Sequence, residues 1–382
     1  MKTVYLDNAA TSFPKPPEVL QAVSLYMSEI GCNVNRGGYH TAYDAAGTVL
    51  ETRQRLCTLF HFSDPRNVIF TANITMSMNM LLKGYLHPGD HVLCSSVEHN
   101  AVIRPLAQLR AQGVAFDRVP CDKDGRLLVE QIEPMLRPET KAFVLTHASN
   151  VFGTIQPLAQ VGEICHAHGI AFIVDSAQTA GTEPIDMEAM KIDALAFTGH
   201  KGLLGPQGTG GFLVRDDFAE KLTPLLSGGT GSFSDLEDMP ALLPDRFEAG
   251  TANLPGIFGL HAALGWLETH GIHSLKETEQ KHMERFLAPL RGDQRIHILA
   301  DIPEKTAVAS LDFPNHDNAE IAYRLDSEYG IMTRCGLHCG PDAHKTLGTF
   351  PQGTVRFSFG PFLTEKEIDY ASNALLEILN GR

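Results

Sequence analysis

The sequence lacks the features of membrane and secreted proteins. It has no apolar stretch that approaches the roughly 18 residues needed to span a bilayer. Its first ten residues, Met1 to Ala10, are too few and too polar for the core of a signal peptide. Its seven cysteines are an odd number scattered over a long chain, unlike the disulfide framework of a secreted domain. We therefore expect a cytoplasmic protein whose thiols are free for chemistry.

Positive charge is also in short supply. Lys and Arg total 31 against 45 Asp and Glu, which leaves a formal net charge of −14. An acidic surface repels phosphate backbones, so we expect no nucleic-acid partner. The chain has no internal repeat and no low-complexity segment. Its 382 residues are many for one core and suggest two or three domains.

The middle of the chain alternates between short apolar segments and helical patterns. Strands are predicted at 67–71, 91–95, 141–146, 170–175, 194–198 and 210–215, and helices at 74–86, 101–112 and 158–168. Nearly all-apolar strands between helices are typical of a mostly parallel sheet covered on both faces, as in α/β proteins. Ligands of such sheets bind beyond the carboxyl ends of the strands, so the residues that follow each strand are candidates for function.

The pattern changes after about residue 255. A long, mostly helical stretch is predicted over 257–287, and Pro289 would stop it. Strands are then predicted at 307–313 and 354–359, with helices at 319–329 and 365–379. This order predicts a second, smaller α+β domain.

Two charged residues follow buried strands, where a ligand would bind. Lys201 lies in a glycine-rich turn after the strand 194–198. Asp175 follows four apolar residues, and an isolated carboxylate is costly to bury without a partner. Any single lysine is more often a solvated loop residue. An amine and an acid at strand ends, however, match what pyridoxal 5'-phosphate (PLP) needs: a lysine for its aldehyde and an acid for its ring nitrogen.

Several short motifs extend this pattern over nearly the whole chain. In their order and spacing the sequence resembles the cysteine desulfurases and selenocysteine lyases of the class V aminotransferase group. The motifs are residues 5–11, 35–38, 98–100, 146–150, 174–178, 199–201, 246–251 and 334–339. The resemblance implies PLP-dependent aminotransferase fold type I. A large domain with a mostly parallel seven-stranded sheet would span 15–255, and a small C-terminal α+β domain would comprise 1–14 and 256–382 and carry the Cys339 loop.

The resemblance also implies roles for individual residues around PLP. Lys201 would hold PLP covalently, and Asp175 would pair with the pyridinium. Gln178 would contact the ring hydroxyl, and His99 would stack on the ring and move protons, although a Glu-His pair on a loop can also merely cap a helix. Asn150 would lie near ring and substrate.

The phosphate of PLP needs backbone N–H groups at a helix start together with hydroxyl groups. The segment of Asn73, Ile74 and Thr75 opens a helix and supplies both. Relatives carry two adjacent threonines here, so Ile74 removes one hydroxyl and offers only its backbone. By the same resemblance, further phosphate contacts come from Thr198, His200 and, from the other subunit of a homodimer, Thr251.

The remaining candidates concern the substrate. Cys339 matches the desulfurase cysteine that carries sulfur as a persulfide, and its flanking residues are not core-like. Arg356 matches the arginine that binds the substrate carboxylate, with Arg334 as a second candidate. Cys335 stands where relatives often have threonine; it either traps the persulfide as a disulfide or is inert, and we favour inert. Cys335, His338, Cys339 and His344 also suggest a zinc site, but no second matching cluster exists, so we expect no metal.

The resemblance implies conversion of L-cysteine to L-alanine, with the sulfur transferred to Cys339. Selenocysteine lyase and class V aminotransferase are alternatives that keep PLP, and the latter would not need Cys339. A catalytically silent sulfur-relay scaffold is the non-enzyme alternative, which the presence of Lys201, Asp175 and His99 together disfavours. The sequence leaves open whether a sulfur-acceptor protein exists, such as an iron–sulfur cluster assembly scaffold or a thiolation enzyme.

Overall fold

A computed structural model describes residues 3–34 and 37–381 of the chain. Asn35 and Arg36 of the motif 35–38 lie outside the described residues. The strands are β1 (Val4–Tyr5), β2 (Val68–Thr71), β3 (His91–Ser95), β4 (Ala115–Val119), β5 (Thr140–Thr146), β6 (Ala171–Asp175), β7 (Ala194–Thr198), β8 (Gly210–Val214), β9 (His297–Leu299), β10 (Val308–Asp312), β11 (Ile331–Met332), β12 (Arg334–Gly336) and β13 (Thr354–Ser358).

The helices alternate with these strands. They are α1 (Pro17–Leu25), α2 (His40–Leu59), α3 (Ile74–Tyr85), α4 (Asn100–Arg110), α5 (Ile132–Met135), α6 (Leu158–Ala167), α7 (Asp216–Ala219), α8 (Leu254–His270), α9 (Ile272–Leu287), α10 (Asn318–Tyr329), α11 (Pro341–Thr346) and α12 (Glu365–Leu379). Short 3₁₀ turns at Pro65–Asn67 and Val129–Gln131 and a π-helical turn at Tyr26–Ile30 complete the described elements. None of the helices within 3–34 and 37–381 combines the length and apolarity that crossing a membrane requires.

A seven-stranded sheet forms the larger part of the molecule, in the order β2-β8-β7-β6-β5-β3-β4. The strands β7, β6, β5, β3 and β4 run parallel, and β8 runs antiparallel to both β2 and β7. Successive side chains alternate between two cores, as the pleat requires: Phe172 and Val174 join one core, and Ile173 joins the other. The predicted mostly parallel sheet of fold type I is confirmed.

Three elements of this part escaped the prediction for a common reason. The edge strand β4 contains charged residues and is half exposed, so it lacks the apolar run of the central strands. Helix α1 buries only Val19. Helix α2 buries small or polar residues such as Ala42, Ala45 and Thr52 along part of its inner face, which leaves a weak apolar periodicity.

The helical stretch predicted over 257–287 is two helices, broken at Gly271. This glycine has a φ of 76°, a left-handed backbone that a helix interior cannot continue. Leu260 and Leu264 of α8 join the core beneath the large sheet, whereas Phe286 of α9 joins the core of the small sheet. The division expected at residue 255 stays a prediction, and this packing leads us to propose a division near Gly271.

The second part is an antiparallel four-stranded sheet in the order β12-β13-β10-β9. Leu325 of α10 and Leu375 of α12 lie in one apolar cluster with Phe357 of β13. The chain enters through β1, which pairs in parallel with β11. From there the amino-terminal segment crosses to the large sheet, where Ser12 N donates to the carbonyl of His200 at 3.0 Å.

Candidate active site

The predicted PLP residues gather at the carboxyl edge of the seven-stranded sheet. Asp175 is the last residue of β6, and Thr198 is the last residue of β7. Because these strands are parallel neighbours, their ends lie side by side. Lys201 follows in a turn closed by a hydrogen bond from Leu204 N to the Lys201 carbonyl at 2.8 Å. The edge therefore brings the acid and the amine together.

The two groups perturb one another electrostatically. Asp175 is 2% exposed, and this burial raises the pKa of its carboxyl, while the N–H of Ala177 and the charge of Lys201 pull that pKa down. Burial lowers the pKa of Lys201 to about 8, against the opposing effect of Asp175. An amine with such a pKa is partly neutral near pH 7, as a nucleophile or a base must be.

His99 caps the amino end of α4 with its side chain. Its Nδ1 accepts a hydrogen bond from Ala101 N at 2.9 Å, which assigns the ring proton of the neutral form to Nε2. Burial, followed by the charges of Lys201 and Arg334, lowers the pKa of His99 to about 4. His99 is thus both a helix cap and a neutral Nε2–H donor at the site.

Glu98 is a buried residue for which the sequence suggested no role. Its Oε1 accepts hydrogen bonds from the Ser95 hydroxyl at 2.6 Å and from Thr146 N at 2.9 Å. Burial raises the pKa of Glu98 to about 8. Since Ser95 ends β3 and Thr146 ends β5, this carboxyl joins two neighbouring strand ends and holds the segment that carries His99.

The predicted phosphate segment opens α3. Asn73 caps the helix by accepting a hydrogen bond from Met76 N at 3.0 Å, and the first N–H groups of any helix have no partner inside it. Ile74 packs into the apolar core, whereas Thr75 is exposed. Gly210 lies so close that a Cβ there would stand 2.8 Å from the Asn73 Cα.

The other predicted cofactor contacts lie at different places around this edge. The Thr198 hydroxyl is 3.5 Å from the Thr209 carbonyl, and Nδ1 of His200 is buried with no partner among the described residues. Gln178 donates from Nε2 to the Ala9 carbonyl at 3.1 Å, and it lines a small cavity together with Lys201. Thr251 is exposed in a cleft of about 720 Å³, and its reach into a second subunit stays a prediction.

Arg356 is almost fully buried, at 1% exposure, on β13. Its Nη2 donates to Asp7 Oδ1 at 2.7 Å, and its Nη1 donates to the Asn150 carbonyl at 2.9 Å. Its Nε is buried and has no partner within the described parts of the chain. A planar cation held on two sides, whose Nε–H has no partner, suits a carboxylate ligand. Asp7 was not singled out in the sequence, because nothing in one chain shows that position 7 meets position 356.

Cys339 lies in a turn between β12 and α11 and is exposed. Its Sγ is 3.6 Å from Nη2 of Arg334. The charge of Cys339 is also close enough to influence the pKa values of Lys201 and Arg356. The structure therefore brings the thiol, both candidate carboxylate arginines and the lysine predicted to hold PLP to one site.

Cys335 lies apart from this turn, on β12 opposite Val355 of β13. It is partly buried, and burial raises the pKa of its thiol. Each histidine of the suggested zinc site has one ring nitrogen paired within the protein: His338 Nε2 with the Thr354 hydroxyl at 3.1 Å, and His344 Nδ1 with the Thr349 hydroxyl at 2.8 Å. Their other nitrogens, His338 Nδ1 and His344 Nε2, are buried without a partner among the described residues. Residues 3–34 and 37–381 contain no group of three or more His, Cys, Asp or Glu side chains arranged to hold a metal.

The residues at this edge fit PLP. The buried acid Asp175 suits a pyridinium nitrogen, and Lys201 is an amine of lowered pKa. The unpartnered Nδ1 of His200 and the close approach of Gly210 to the start of α3 leave a polar cradle for a phosphate. The site therefore provides groups for the ring nitrogen, the aldehyde and the phosphate.

Comparison with known proteins agrees with this arrangement. A family model described as aminotransferase class-V matches residues 4–371. The chain is 33% identical to a probable cysteine desulfurase of Methanothermobacter thermautotrophicus, over 98% of this chain and 94% of that protein. It is 31% identical to the cysteine desulfurase CsdA of Escherichia coli K12, over 98% of this chain and 94% of that protein.

Solved structures show the same likeness in three dimensions. The apo structure of a cysteine desulfurase from Thermococcus onnurineus superposes with a TM-score of 0.91 at 29% identity, over the whole of this chain and 95% of the other. The E. coli CsdA crystal structure superposes with a TM-score of 0.89 at 28% identity, over 99% of this chain and 95% of the other.

Proposed function

Because the chain belongs to the aminotransferase class-V family, we propose that it is a PLP-dependent cysteine desulfurase. It converts L-cysteine to L-alanine and transfers the sulfur to Cys339. One observation above all supports this reaction: an exposed thiol stands beside Arg334 and within electrostatic reach of Lys201. Amino-group transfer alone would not need that thiol, whereas sulfur transfer does.

Bound at this site, PLP would supply an electron sink for the carbanion that forms when the substrate loses its Cα proton. The chain would hold PLP through Lys201, Asp175 and the phosphate cradle at the start of α3. Gln178 and His99 would contact the ring.

Three side chains of the chain have different roles toward the substrate. Arg356 binds the substrate carboxylate, because it is the buried guanidinium with an unused donor. Lys201 takes the proton from the substrate Cα, which its pKa of about 8 allows near neutral pH. His99 stays uncharged and donates from Nε2.

Sulfur transfer forms one bond and breaks one bond. The Cys339 thiolate attacks the substrate sulfur, an S–S bond forms, and the bond between the sulfur and the substrate Cβ breaks. The electron pair of that bond stays with the substrate Cβ, which takes up one proton to become the methyl group of alanine. The net change is L-cysteine plus a thiol giving L-alanine plus a persulfide, so no outside oxidant is required. Arg334 places a positive charge beside the attacking sulfur, with Nη2 at 3.6 Å from Sγ.

The assembly and the cellular setting are part of the proposal. We propose a homodimer in which Thr251 of each chain completes the phosphate cradle of the other. The wide cleft that Thr251 lines, with the exposed Leu50 and Leu226 on its walls, supports an interface on this side. A reducing compartment such as the cytoplasm suits a chain whose cysteines are all unpaired. A sulfur-acceptor protein, such as an iron–sulfur cluster scaffold, would relieve Cys339 of its sulfur.

The test uses purified protein loaded with PLP and given L-cysteine and dithiothreitol. We expect equal amounts of alanine and sulfide, and without reductant a mass increase of one sulfur on the peptide that contains Cys339. Cys339→Ser should keep the visible absorbance of the bound cofactor and lose sulfide release by about 1,000-fold. Cys335→Ser is the matched control and should behave as the parent.

Four results would point elsewhere. Full sulfide release by Cys339→Ser would remove this residue as sulfur carrier. Alanine formed only when pyruvate is added would indicate an aminotransferase, and turnover restricted to selenocysteine would indicate the lyase. A protein that cannot be loaded with PLP would indicate the silent scaffold.

A further inference from the structure

The turn that carries Cys339 has an unusual backbone. Both His338 and Cys339 adopt left-handed conformations, with φ of 49° and 60°. Non-glycine residues rarely occupy this region because the Cβ meets the following carbonyl oxygen, so surrounding contacts must hold the turn in place. Gly340 follows at a close approach, where a Cβ would stand 2.8 Å from Val151 Cγ2. The thiol thus rests on a defined turn that is packed against the large domain.

Hydrogen bonds from the large domain hold both peptide carbonyls of this turn. The Asn100 N–H, at the first residue of α4, donates to the Cys339 carbonyl at 2.9 Å. Nδ2 of Asn150 donates to the His338 carbonyl. The first of these bonds comes from Asn100, the residue next to His99. It therefore fixes the position of Cys339 relative to the part of the site that would contact the cofactor ring.

Helix α11, which begins two residues after Cys339, is tied to the same domain by side chains. Asp342 Oδ2 accepts a hydrogen bond from Nε of Arg118 at 2.8 Å, and Arg118 lies on the edge strand β4. At the other end of α11, the Thr346 hydroxyl donates to the Ser96 carbonyl at 2.9 Å. The Asp342 side chain is 9% exposed and that of Arg118 is 36% exposed, so this pair is better shielded from solvent than the surface pairs of the protein.

From these contacts we propose that Asp342 is a positioning residue for Cys339. Through its ion pair with Arg118 it clamps α11 to β4 and thereby fixes the thiol for attack on the substrate sulfur. The inference rests on the proposed function, since it concerns the attacking step. A thiol on a turn this short has little reach, so a small displacement of α11 moves Sγ out of line with the substrate sulfur. Asp342 acts through the backbone and does not itself touch the substrate.

The test is Asp342→Asn in the PLP-loaded protein. The amide keeps the size and one hydrogen-bond acceptor but removes the charge. We expect kcat for alanine formation to fall about tenfold while KM for L-cysteine changes less than about twofold, because Arg356 still binds the carboxylate. The visible absorbance of the bound cofactor should be unchanged. In the protein without substrate, amide hydrogen exchange of the 337–347 segment should be about fivefold faster.

Further variants separate positioning from general destabilisation. Arg118→Gln should reproduce both effects, and the double variant should be no worse than Asp342→Asn alone, because each variant removes the pair of Arg118 with Asp342. Asp342 also pairs with Lys345 at 3.0 Å inside α11, so Lys345→Gln, which leaves the bond to β4 intact, should change neither kcat nor exchange. Asp369→Asn removes the ion pair of Asp369 with Arg285 on the small domain and should change neither kcat nor exchange in the 337–347 segment.

The outcomes distinguish this proposal from the function on which it rests. If the parent protein forms alanine and the Cys339 persulfide but Asp342→Asn does the same at an unchanged kcat, the positioning role is wrong and the function stands. A normal kcat with faster exchange would also overturn the positioning role, since a looser α11 would then not matter. If the parent protein forms no persulfide, the function fails first, and the exchange result alone still reports whether Asp342 clamps α11.

Discussion

The cofactor side and the thiol side of the site differ in how they are built. Asp175 stands at the tip of β6, whose five residues are all buried, and it is held by the sheet itself. Cys339 is the exposed residue of a turn with left-handed backbone, and that turn and the helix after it are held by Asn100, Asn150 and Arg118 around the large sheet. The acid is therefore placed by regular secondary structure, and the thiol is placed by a few long-range bonds.

This difference has a chemical reason. The groups around PLP must be fixed relative to one aromatic ring, and parallel strand ends provide such fixed points. In the proposed function the thiol has two tasks, because it would reach the substrate sulfur and then offer the sulfur to an acceptor. A turn that exposes Cys339 and is held by hydrogen bonds from other segments serves both tasks. It presents Sγ to solvent while keeping its position fixed. The variants below compare the two sides in order of decreasing effect.

The largest effect is expected at Lys201. Lys201→Ala removes both the amine that holds PLP and the base for the Cα proton, so alanine formation should fall at least about 10,000-fold. The visible absorbance of the bound cofactor should be lost or shifted. The control is Lys191→Ala, a surface lysine at the opposite end of β7, which should retain full activity. Turnover by Lys201→Ala within tenfold of the parent would contradict the assignment.

Asp175 comes next. Asp175→Asn leaves a neutral amide that cannot stabilise a protonated ring nitrogen, and we expect kcat to fall by about 100- to 1,000-fold. A matched control exists in the same sheet: Asp193 is a partly buried acid at the amino end of β7, where it accepts a hydrogen bond from Phe172 N. Asp193→Asn should alter stability but not kcat. Equal losses of kcat in both variants would show that position along the strand does not matter.

Asp7 lies between the cofactor side and the thiol side, where it pairs with Arg356. Asp7→Asn withdraws the charge that orients the buried guanidinium of Arg356, so KM for L-cysteine should rise about tenfold while kcat changes less than about twofold. Initial rates over a range of L-cysteine concentrations measure both constants. Asp64→Asn, at a surface pair with Arg66, is the control. A fall in kcat at constant KM would place Asp7 in the chemical step instead.

The smallest effect concerns pH and stability. His147 is buried beside the cofactor edge, and burial lowers its pKa to about 3. As pH falls below the unfolded value near 6.5, the unfolded chain takes up a proton that the folded chain refuses, so stability falls. From pH 7.5 to pH 6, His147 should cost about 0.8 kcal/mol of unfolding free energy. His147→Gln should lose this part of the acid dependence in urea titrations, and His273→Gln, at an exposed site, should keep it.

Prediction from sequence succeeded where one local pattern carries the structure. The strands β3 and β7 have the predicted ends, because apolar runs of five residues between turn signals are unambiguous. Lys201 and Asp175 stood out because charged residues directly after such runs are costly unless a ligand uses them. The helix at 365–379 was recognisable too, and its capping box of Thr364 and Glu367 marks its start.

Prediction failed where the deciding partner lies far away in the chain. The pair of Asp7 with Arg356 joins positions 349 residues apart, and that of Arg118 with Asp342 joins positions 224 residues apart. Glu98 looked like an ordinary neighbour of His99 until its bond to Thr146 N was visible. The edge strand β4 and helix α2 were missed because half-exposed or small residues weaken the apolar period.

The sequence by itself determined the sheet class and the order of its central elements, and it was enough to propose the reactive groups at their ends. These depend on burial of apolar side chains close together in the chain, which leaves a regular signal in the order of residues. Only the tertiary structure decided which charges Arg356 and Asp342 meet and how the Cys339 turn is held. Those features depend on contacts between distant segments. A hydrogen bond between two such segments produces no periodic pattern in the sequence of either segment.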